Sequence, residues 1–345
     1  MQDVPYTKQL LAKQEALQHM FLRDVDIVPS PNPYAYRHRM DFVTAFGKIG
    51  LRKKGDAKIV VKLDKCHIVD ERVSYLLHRM REWMDELGVH DYNYITHRGD
   101  MRYLTTRYAP SSGQLMVIVV TGREDTTVTP LLDRLQQHAE SVVWAVQPRR
   151  GDDSHGDIRE IRGRETIEQD ILGNTFEIGP NCFFQNNLLL LDDMFREILR
   201  HIRGLTLDLY CGVGAIGLSA AEKATRVVAV DIVEENIAFA KRNAARNSVE
   251  DVEFILDNAN HFLAYYEGDT PDTVVVDPPR DGLAPKLIRK INRLGAPNLV
   301  YVSCNPKTYL RDLDLLEGYQ LEEMRAFDMF PQTPHVELVT RLARI

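Results

Sequence analysis

Apolar residues change their spacing twice along this chain. Between Pro5 and Phe21 they recur at helical intervals, through Leu10, Leu11, Leu17, Met20 and Phe21 with Gln14 on the same face, and predict a helix. The proline-rich run PSPNPY then breaks it. From Tyr36 to about Ile178 short strands dominate. YRHRMDFVTAF and IGLRKK flank a Gly-Lys turn, and IVVKLD follows. A helix from about Arg72 to Leu87 precedes the strands YNYIT, MRYLTTRYA and QLMVIVVT, and the helical stretch PLLDRLQQHA leads into SVVWAVQ. The polar block RRGDDSHGD reads as an exposed loop. This part is α+β and mostly antiparallel. Near Gly179 the pattern changes. After an apolar helix, LLLLDDMFREILRHI, strands and helices alternate: LTLDLY, AIGLSAAEKA, RVVAVD, EENIAFAKRNAARN, VEFIL, DTVVVD, LVYVSC and YLRDLDLLEG, with VEFIL, DTVVVD and LVYVSC three successive strands. That spacing predicts a doubly wound, mostly parallel α/β sheet of Rossmann type.

Length and composition fit this picture. The 345 residues suffice for two domains, and 44% apolar with 27% charged residues is a soluble globular balance. No apolar run approaches a membrane span, and the opening MQDVPYTKQLLAKQEAL lacks the apolar centre of a signal peptide. Cys66, Cys182, Cys211 and Cys304 are far apart, which argues against a disulfide framework and for a reducing cytoplasm. The net charge of -7 alone weighs against nucleic acid, but nine Lys/Arg against three Asp between Arg37 and Lys65 give that segment +6. Such a run is either a solvated hairpin or a phosphate-contacting ridge.

Four constellations carry chemistry. In DLYCGVGAIG, Gly212, Gly214 and Gly217 follow a strand and open a helix, and Asp231 ends the next strand, where it can accept two ribose hydroxyls. The pattern suits an adenosine-containing cofactor, nicotinamide or S-adenosylmethionine alike; a tight strand–helix turn without ligand is the bland alternative. In VVVDPPRDGL, Asp277 ends a strand and two prolines stiffen the turn. Such a turn can hold a flipped base beside a methyl donor, and Arg280 in place of an aromatic residue suits an anionic or carbonyl-rich partner. Cys304 ends the strand LVYVSC just before Asn305-Pro306. A lone strand cysteine is usually a small buried hydrophobe, but this one converges with the other motifs on the carboxyl edge where open α/β sheets bind ligands. Finally, Glu337 opens the strand region HVELVTRL; if that strand is antiparallel, its carboxylate reaches the same edge, although the alternation leaves its face open between cleft and solvent. A thiolate adding to uracil C6 makes C5 nucleophilic toward an activated methyl group, and a base must then remove the C5 proton. Cys304 and Glu337 are the residue types this needs, and the site must favour thiolate or take the thiol proton during attack.

FFQNN, DLYCGVGAIG, VVAVD, VVVDPPRDGL, VSCNP and PHVE occur in this order, and with them the chain resembles the RNA uracil-C5 methyltransferases, which form 5-methyluridine in ribosomal and transfer RNA. The resemblance spans nearly the whole chain. It implies S-adenosylmethionine as cofactor, Cys304 as nucleophile, Glu337 as base, and Gln185, Tyr210, Asp231, Asn258 and Asp277 beside Gly212 and Gly214 around cofactor and site. Ala215 stands where some members carry Asn, so that contact is not carried over. The small TRAM barrel of many members has no counterpart in these residues. Many members also hold an iron–sulfur cluster; Cys66 matches its fourth ligand, and the other three would precede Met1, so a cluster is expected only if a longer native form exists.

The expected organisation is an N-terminal helix (1–27) packing on the catalytic domain, a central α+β RNA-positioning domain (28–178) and a methyltransferase domain (179–345) whose last strand is antiparallel. RNA is the expected partner, contacted by Arg280 and by Arg37, Arg39, Arg52 and Lys53 of the basic stretch. Family frequency places 23S ribosomal RNA ahead of a transfer-RNA T-loop. A cytoplasmic monomer without membrane attachment is expected. The competing readings are a nicotinamide-dependent oxidoreductase, which leaves DPPR, Cys304 and Glu337 unused, and an inactive RNA-binding relic.

Overall fold

The computed structural model describes residues 3–124 and 128–345. It falls into two compact units, one made of the chain up to Pro33 with 171–176 and 182–345, the other of 34–170 with 177–181. Helix α1 (Tyr6–Phe21) and strand β1 (Asp26–Val28) open the first.

The second unit is a seven-stranded sheet with two helices. β2 (Arg39–Ala45), β3 (Lys48–Lys53), β4 (Asp56–Lys62), β5 (Met101–Ala109), β6 (Gln114–Thr121), β7 (Ser141–Val146) and β8 (Asp157–Gly163) lie in the order β4-β3-β2-β5-β6-β7-β8. All neighbours are antiparallel except β6 and β7, which α3 (Thr129–Leu135) separates in sequence. Helix α2 (Glu71–Glu86) starts where Asp70 accepts a hydrogen bond from Arg72 N, and its Leu76, Met80 and Trp83 join the buried core. YNYIT is not a strand. Asn93 Oδ1 accepts from Ile95 N at 2.9 Å and Thr96 N at 3.0 Å, so an Asx turn competes with extended pairing. A hairpin of β9 (Ile167–Ile171) and β10 (Asn174–Ile178) follows, turning at Leu172-Gly173 with both φ positive.

The remainder of the first unit alternates strand and helix, with helices at Ala259–Phe262 and Pro285–Leu294 where the sequence pattern runs three strands in succession. It runs α4 (Leu191–Arg200), β11 (Gly204–Asp208), α5 (Ala215–Ala220), β12 (Ala224–Asp231), α6 (Glu234–Arg246), β13 (Val252–Leu256), α7 (Ala259–Phe262), β14 (Thr273–Val276), α8 (Pro285–Leu294), β15 (Asn298–Ser303), α9 (Pro306–Leu315), β16 (Tyr319–Phe327) and β17 (Glu337–Arg344). The sheet order is β1-β16-β17-β15-β14-β11-β12-β13. Strands β11 to β15 pair in parallel, and β17 is antiparallel to both β15 and β16. This is a Rossmann-like, mostly parallel sheet, and the other unit is α+β. No helix among the described residues is long and apolar enough to cross a membrane.

Helix α1 departs from its apolar pattern. Leu17 joins the core with Val25, and Phe21 lies 5.8 Å from the Tyr309 ring. The rest of the buried stripe is polar: Gln9 and Lys13 stand eight and four residues before Leu17 and are buried with it, while Leu11 is exposed. Polar side chains are buried only against partners. Lys13 Nζ meets Asp328 Oδ1 at 2.6 Å, with side chains 3% and 0% exposed. Removing one member of a buried ion pair strands the other charge. Lys13→Met alone should therefore cost about 3–5 kcal/mol in urea unfolding, and Lys13→Met combined with Asp328→Leu should recover most of it. Equal stability of the single and double variants would contradict this.

Candidate active site

The site forms because consecutive strands end at one edge and each is followed by a turn with its own local chemistry. After β11, Gly212 and Gly214 take φ of 54° and 84°, which a side chain rarely adopts. A Cβ on Gly214 would also lie 3.0 Å from the Phe254 ring. After β12, Asp231 Oδ2 accepts from Gly212 N at 2.9 Å, and its Oδ1 accepts from Val233 N at 2.8 Å and Asn236 Nδ2 at 3.1 Å. The acid that ends one strand thus fastens the glycine turn of its neighbour. After β13, Asn258 caps α7 by accepting from Asn260 N at 2.9 Å.

After β14, the Pro-Pro turn closes through Gly282, whose φ is 74°. A Cβ there would stand 2.5 Å from Asp312 Oδ2, the oxygen that accepts from Leu283 N and from Tyr301 Oη, each at 2.7 Å. Asp312 of α9 therefore ties the turn after β14 to strand β15. Asn305 and Thr308 add bonds to Arg280 O at 3.0 and 3.1 Å. After β15, the residues behind Cys304 explain its setting: Asn305 caps α9, accepting from Lys307 N, and Pro306 takes the first helical position, where no N–H is required. Half-buried Cys304 is the last side chain before that cap.

The last strand brings the carboxylate. Ser303 pairs with Leu338, so one further step of the antiparallel register sets Cys304 across from Glu337. Glu337 itself pairs with Phe327 and is 2% exposed, which resolves its face toward the interior. Gln185 Nε2 donates to Asp277 Oδ2 at 2.9 Å. Gln185, Tyr210, Gly212 and Asp277 line an open cleft of about 380 Å³, together with Phe183 and Phe184.

Crowding of acids in this dry edge sets its protonation. Burial, then Asp277 and Asp231, raise Asp208 to about 7. Burial also raises Asp277 to about 7, opposed by the Gln185 hydrogen bond. Burial and then Asp277 hold Glu337 well above the usual carboxylate range, and burial, Glu337 and Asp277 push the Cys304 thiol up to about 12. Arg280 is the cation that opposes both of these last shifts, and its Nη2 lies 3.2 Å from His335 Nδ1.

Asp208, Asn236, Asp312 and His335 belong to this constellation although sequence reasoning gave them no role. For Asp208 a signal existed, an acid ending the strand that feeds the glycine turn. It is fully buried beneath the glycine turn, where the backbone N–H groups of Tyr210 and Gly217 favour its charged form against burial. A glycine turn with open space over Gly212 and an Asp231 at the neighbouring strand end fit a cofactor with a ribose end.

The other predicted residues lie in the second unit. Arg39 pairs with Asp41 Oδ1 at 3.0 Å, and Arg52 grips both oxygens of Asp152 at 2.6 and 2.7 Å. Arg37 Nε donates to Arg39 O, while Lys53 is exposed on β3. The polar loop at 149–157 thus neutralises part of the basic run; buried Arg102 binds its carbonyls at Arg149 and Gly151. Cys66 is buried and belongs to no metal-ligating group among the described residues, and one thiolate cannot hold a cluster.

Residues 163–345 match the family described as tRNA (uracil-5-)-methyltransferase. Over its whole length the chain is 35% identical to the tRNA (uracil(54)-C(5))-methyltransferase of Pyrococcus furiosus, covering 82% of that protein. It is 34% identical over 99% of its length to the 23S rRNA (uracil(747)-C(5))-methyltransferase of Pyrococcus abyssi, again covering 82%. The crystal structure of the Pyrococcus abyssi tRNA (uracil-54, C5)-methyltransferase in complex with S-adenosyl-L-homocysteine superposes with a TM-score of 0.87, over 99% of this chain and 84% of that one, at 32% identity.

The raised Asp208 has a consequence for stability. Its neutral form favours the folded state fully below the unfolded value near 4, and that advantage is lost as pH rises to about 7. Asp208→Asn should therefore gain on the wild type by a few kcal/mol between pH 4 and pH 8 in urea unfolding without cofactor. A stability difference independent of pH would contradict the assignment.

Proposed function

The chain belongs to the tRNA (uracil-5-)-methyltransferase family, and from that premise we propose that it methylates C5 of a uridine in transfer or ribosomal RNA through a covalent adduct on Cys304. Dependence on S-adenosylmethionine goes with the family and with the fold of the complex it resembles. The observation that carries the mechanism is the register that sets Cys304 across from Glu337, both within reach of the charge of Asp277, which lines the cleft.

When bound, S-adenosylmethionine supplies an electrophilic methyl group. The remaining work falls to this chain. Cys304 Sγ bonds to C6 of the uracil, and the C5–C6 π electrons move toward C4 and its oxygen as an enolate. With the thiol pushed up to about 12, the proton passes from Sγ to solvent water as the S–C6 bond forms. Arg280, the cation facing Cys304 and Glu337, favours the negative charge that develops. After C5 gains the methyl group, Glu337, ionised with Arg280 as its counter-charge, takes the C5 proton. The electrons of that C–H bond rebuild the C5–C6 double bond and expel Sγ as thiolate, which regains a proton. Net, C5 exchanges one hydrogen for methyl and one proton is released. Asp277, held by Gln185, lines the cofactor side, and Asp231 would hold a ribose.

C6 is reachable only from a ring face, so the uridine must leave its stack, and single-stranded loops of structured RNA present such bases. Exposed Lys53 would meet phosphate directly, whereas Arg39 and Arg52 would have to exchange Asp41 and Asp152 for it. Identity to the relative named for uridine 54 of tRNA and to the one named for uridine 747 of 23S rRNA is nearly equal, at 35% and 34%. The ribosomal preference therefore rests on family frequency alone.

The test uses labelled S-adenosylmethionine with transfer RNA and ribosomal RNA lacking 5-methyluridine, followed by nucleoside analysis. Labelled 5-methyluridine in one of them is expected, and label in another nucleoside or in none would overturn the reading. Cys304→Ala should lose transfer by at least about a thousandfold while retaining S-adenosylhomocysteine binding. Glu337→Gln should form the protein–RNA adduct and fail to release it, seen as a shifted band on a denaturing gel.

A further inference from the structure

The nine residues from Asp328 to Val336 connect β16 to β17 and end immediately before Glu337. Two polar side chains of α1 hold this strap from beneath. Lys13 Nζ donates to Asp328 Oδ1 at 2.6 Å and to Phe330 O at 3.2 Å. Gln9 Nε2 donates to Gln332 Oε1 at 2.8 Å, and Gln9 Oε1 accepts from Gln332 N at 3.1 Å. Gln9, Lys13 and Asp328 are 1%, 5% and 0% exposed. Gln332 has φ of 67°, a left-handed conformation that a non-glycine residue keeps only where its surroundings hold it.

From this anchor the bonds run on toward the chemistry. Thr333 Oγ1 donates to Phe330 O at 2.7 Å and accepts from His335 N at 3.2 Å. The His335 ring then meets Arg280 at 3.2 Å and stands edge-on to Phe330, with ring centroids 6.3 Å apart. At the other end, Asp328 directly follows Phe327, the β16 residue paired with Glu337. A helix needed only to cover the sheet would bury an apolar stripe here. An amide pair and an ion pair cost desolvation, and what they add is direction.

We propose that Gln9 and Lys13 are positioning residues for the proton-abstraction step: through the strap they set the direction of the Glu337 carboxylate and the place of His335 against Arg280. This rests on the uracil-C5 reading above. Cys304 and the cofactor cleft are placed by other elements, so the strap acts on release of the adduct more than on its formation.

The test compares the full-length wild type with Gln9→Leu, which cuts the link to Gln332 without uncovering a charge. A second variant, Lys13→Met with Asp328→Leu, removes the ion pair as a unit. S-adenosylhomocysteine affinity, turnover on RNA and covalent protein–RNA complex on a denaturing gel are measured for each. Wild-type cofactor affinity, turnover lowered about tenfold to a hundredfold, and accumulated covalent complex are expected. A merely structural role would not trap the adduct at unchanged cofactor affinity. Wild-type turnover in both variants, or reduced turnover without trapped complex, would overturn the proposal while leaving the uracil-C5 reading intact. A wild-type chain that yields neither 5-methyluridine nor adduct would remove both.

Discussion

Acidic groups crowded at one dry sheet edge are the constraint on which the rest of this structure depends. Asp208, Asp231 and Asp277 end three neighbouring strands, and Glu337 begins a fourth that runs the other way. After burial itself, Asp277 and Asp231 raise the cost of ionising Asp208, Asp277 raises that of Glu337, and Glu337 and Asp277 raise that of the Cys304 thiol. A cationic cofactor relieves the charge on one side, and Arg280 relieves it on the other. The edge is a poor place to keep a standing thiolate and a good place to pass a proton while a bond forms.

That arrangement needs β17. A sheet of parallel strands alone would bring only strand ends to the cleft. Inserting β17 antiparallel between β15 and β16 brings a strand beginning there as well, and the register fixes which residue faces Cys304. The turns around the cleft are held by side-chain hydrogen bonds. Asp231 fastens the glycine turn, Asp312 and α9 fasten the Pro-Pro turn, and α1 fastens the strap before Glu337. A hydride-transfer enzyme would use the glycine turn and Asp231, but it would have no need for the thiol, the opposed carboxylate or the clamped DPPR turn.

What could be read in the sequence was what local chemistry writes. Asp at a strand end, glycines after it, Asn-Pro behind Cys304 and the strand–helix alternation all act within a few residues. They gave the fold and the convergence on one edge. The face of Glu337 could not be read by alternation, because β17 is buried on both sides through most of its length. The polar stripe of α1 was invisible because Gln9 and Lys13 find partners more than three hundred residues away. The basic ridge looked uniformly available because Asp152, which occupies Arg52, lies a hundred residues downstream. The turn at Asn93 and the acid at Asp208 were legible, and a strand propensity and a cofactor motif drew attention away from them.

The most direct test of the central claim is the identity of the trapped peptide when the target uridine is replaced by 5-fluorouridine. Glu337 has no C5 proton to remove in that RNA, so the adduct should persist after methyl transfer. Mass spectrometry of the digested complex is predicted to find one nucleotide, bearing both fluorine and the new methyl group, on the peptide containing Cys304. A nucleotide on any other residue, or methylated RNA with no covalent complex, would contradict the account.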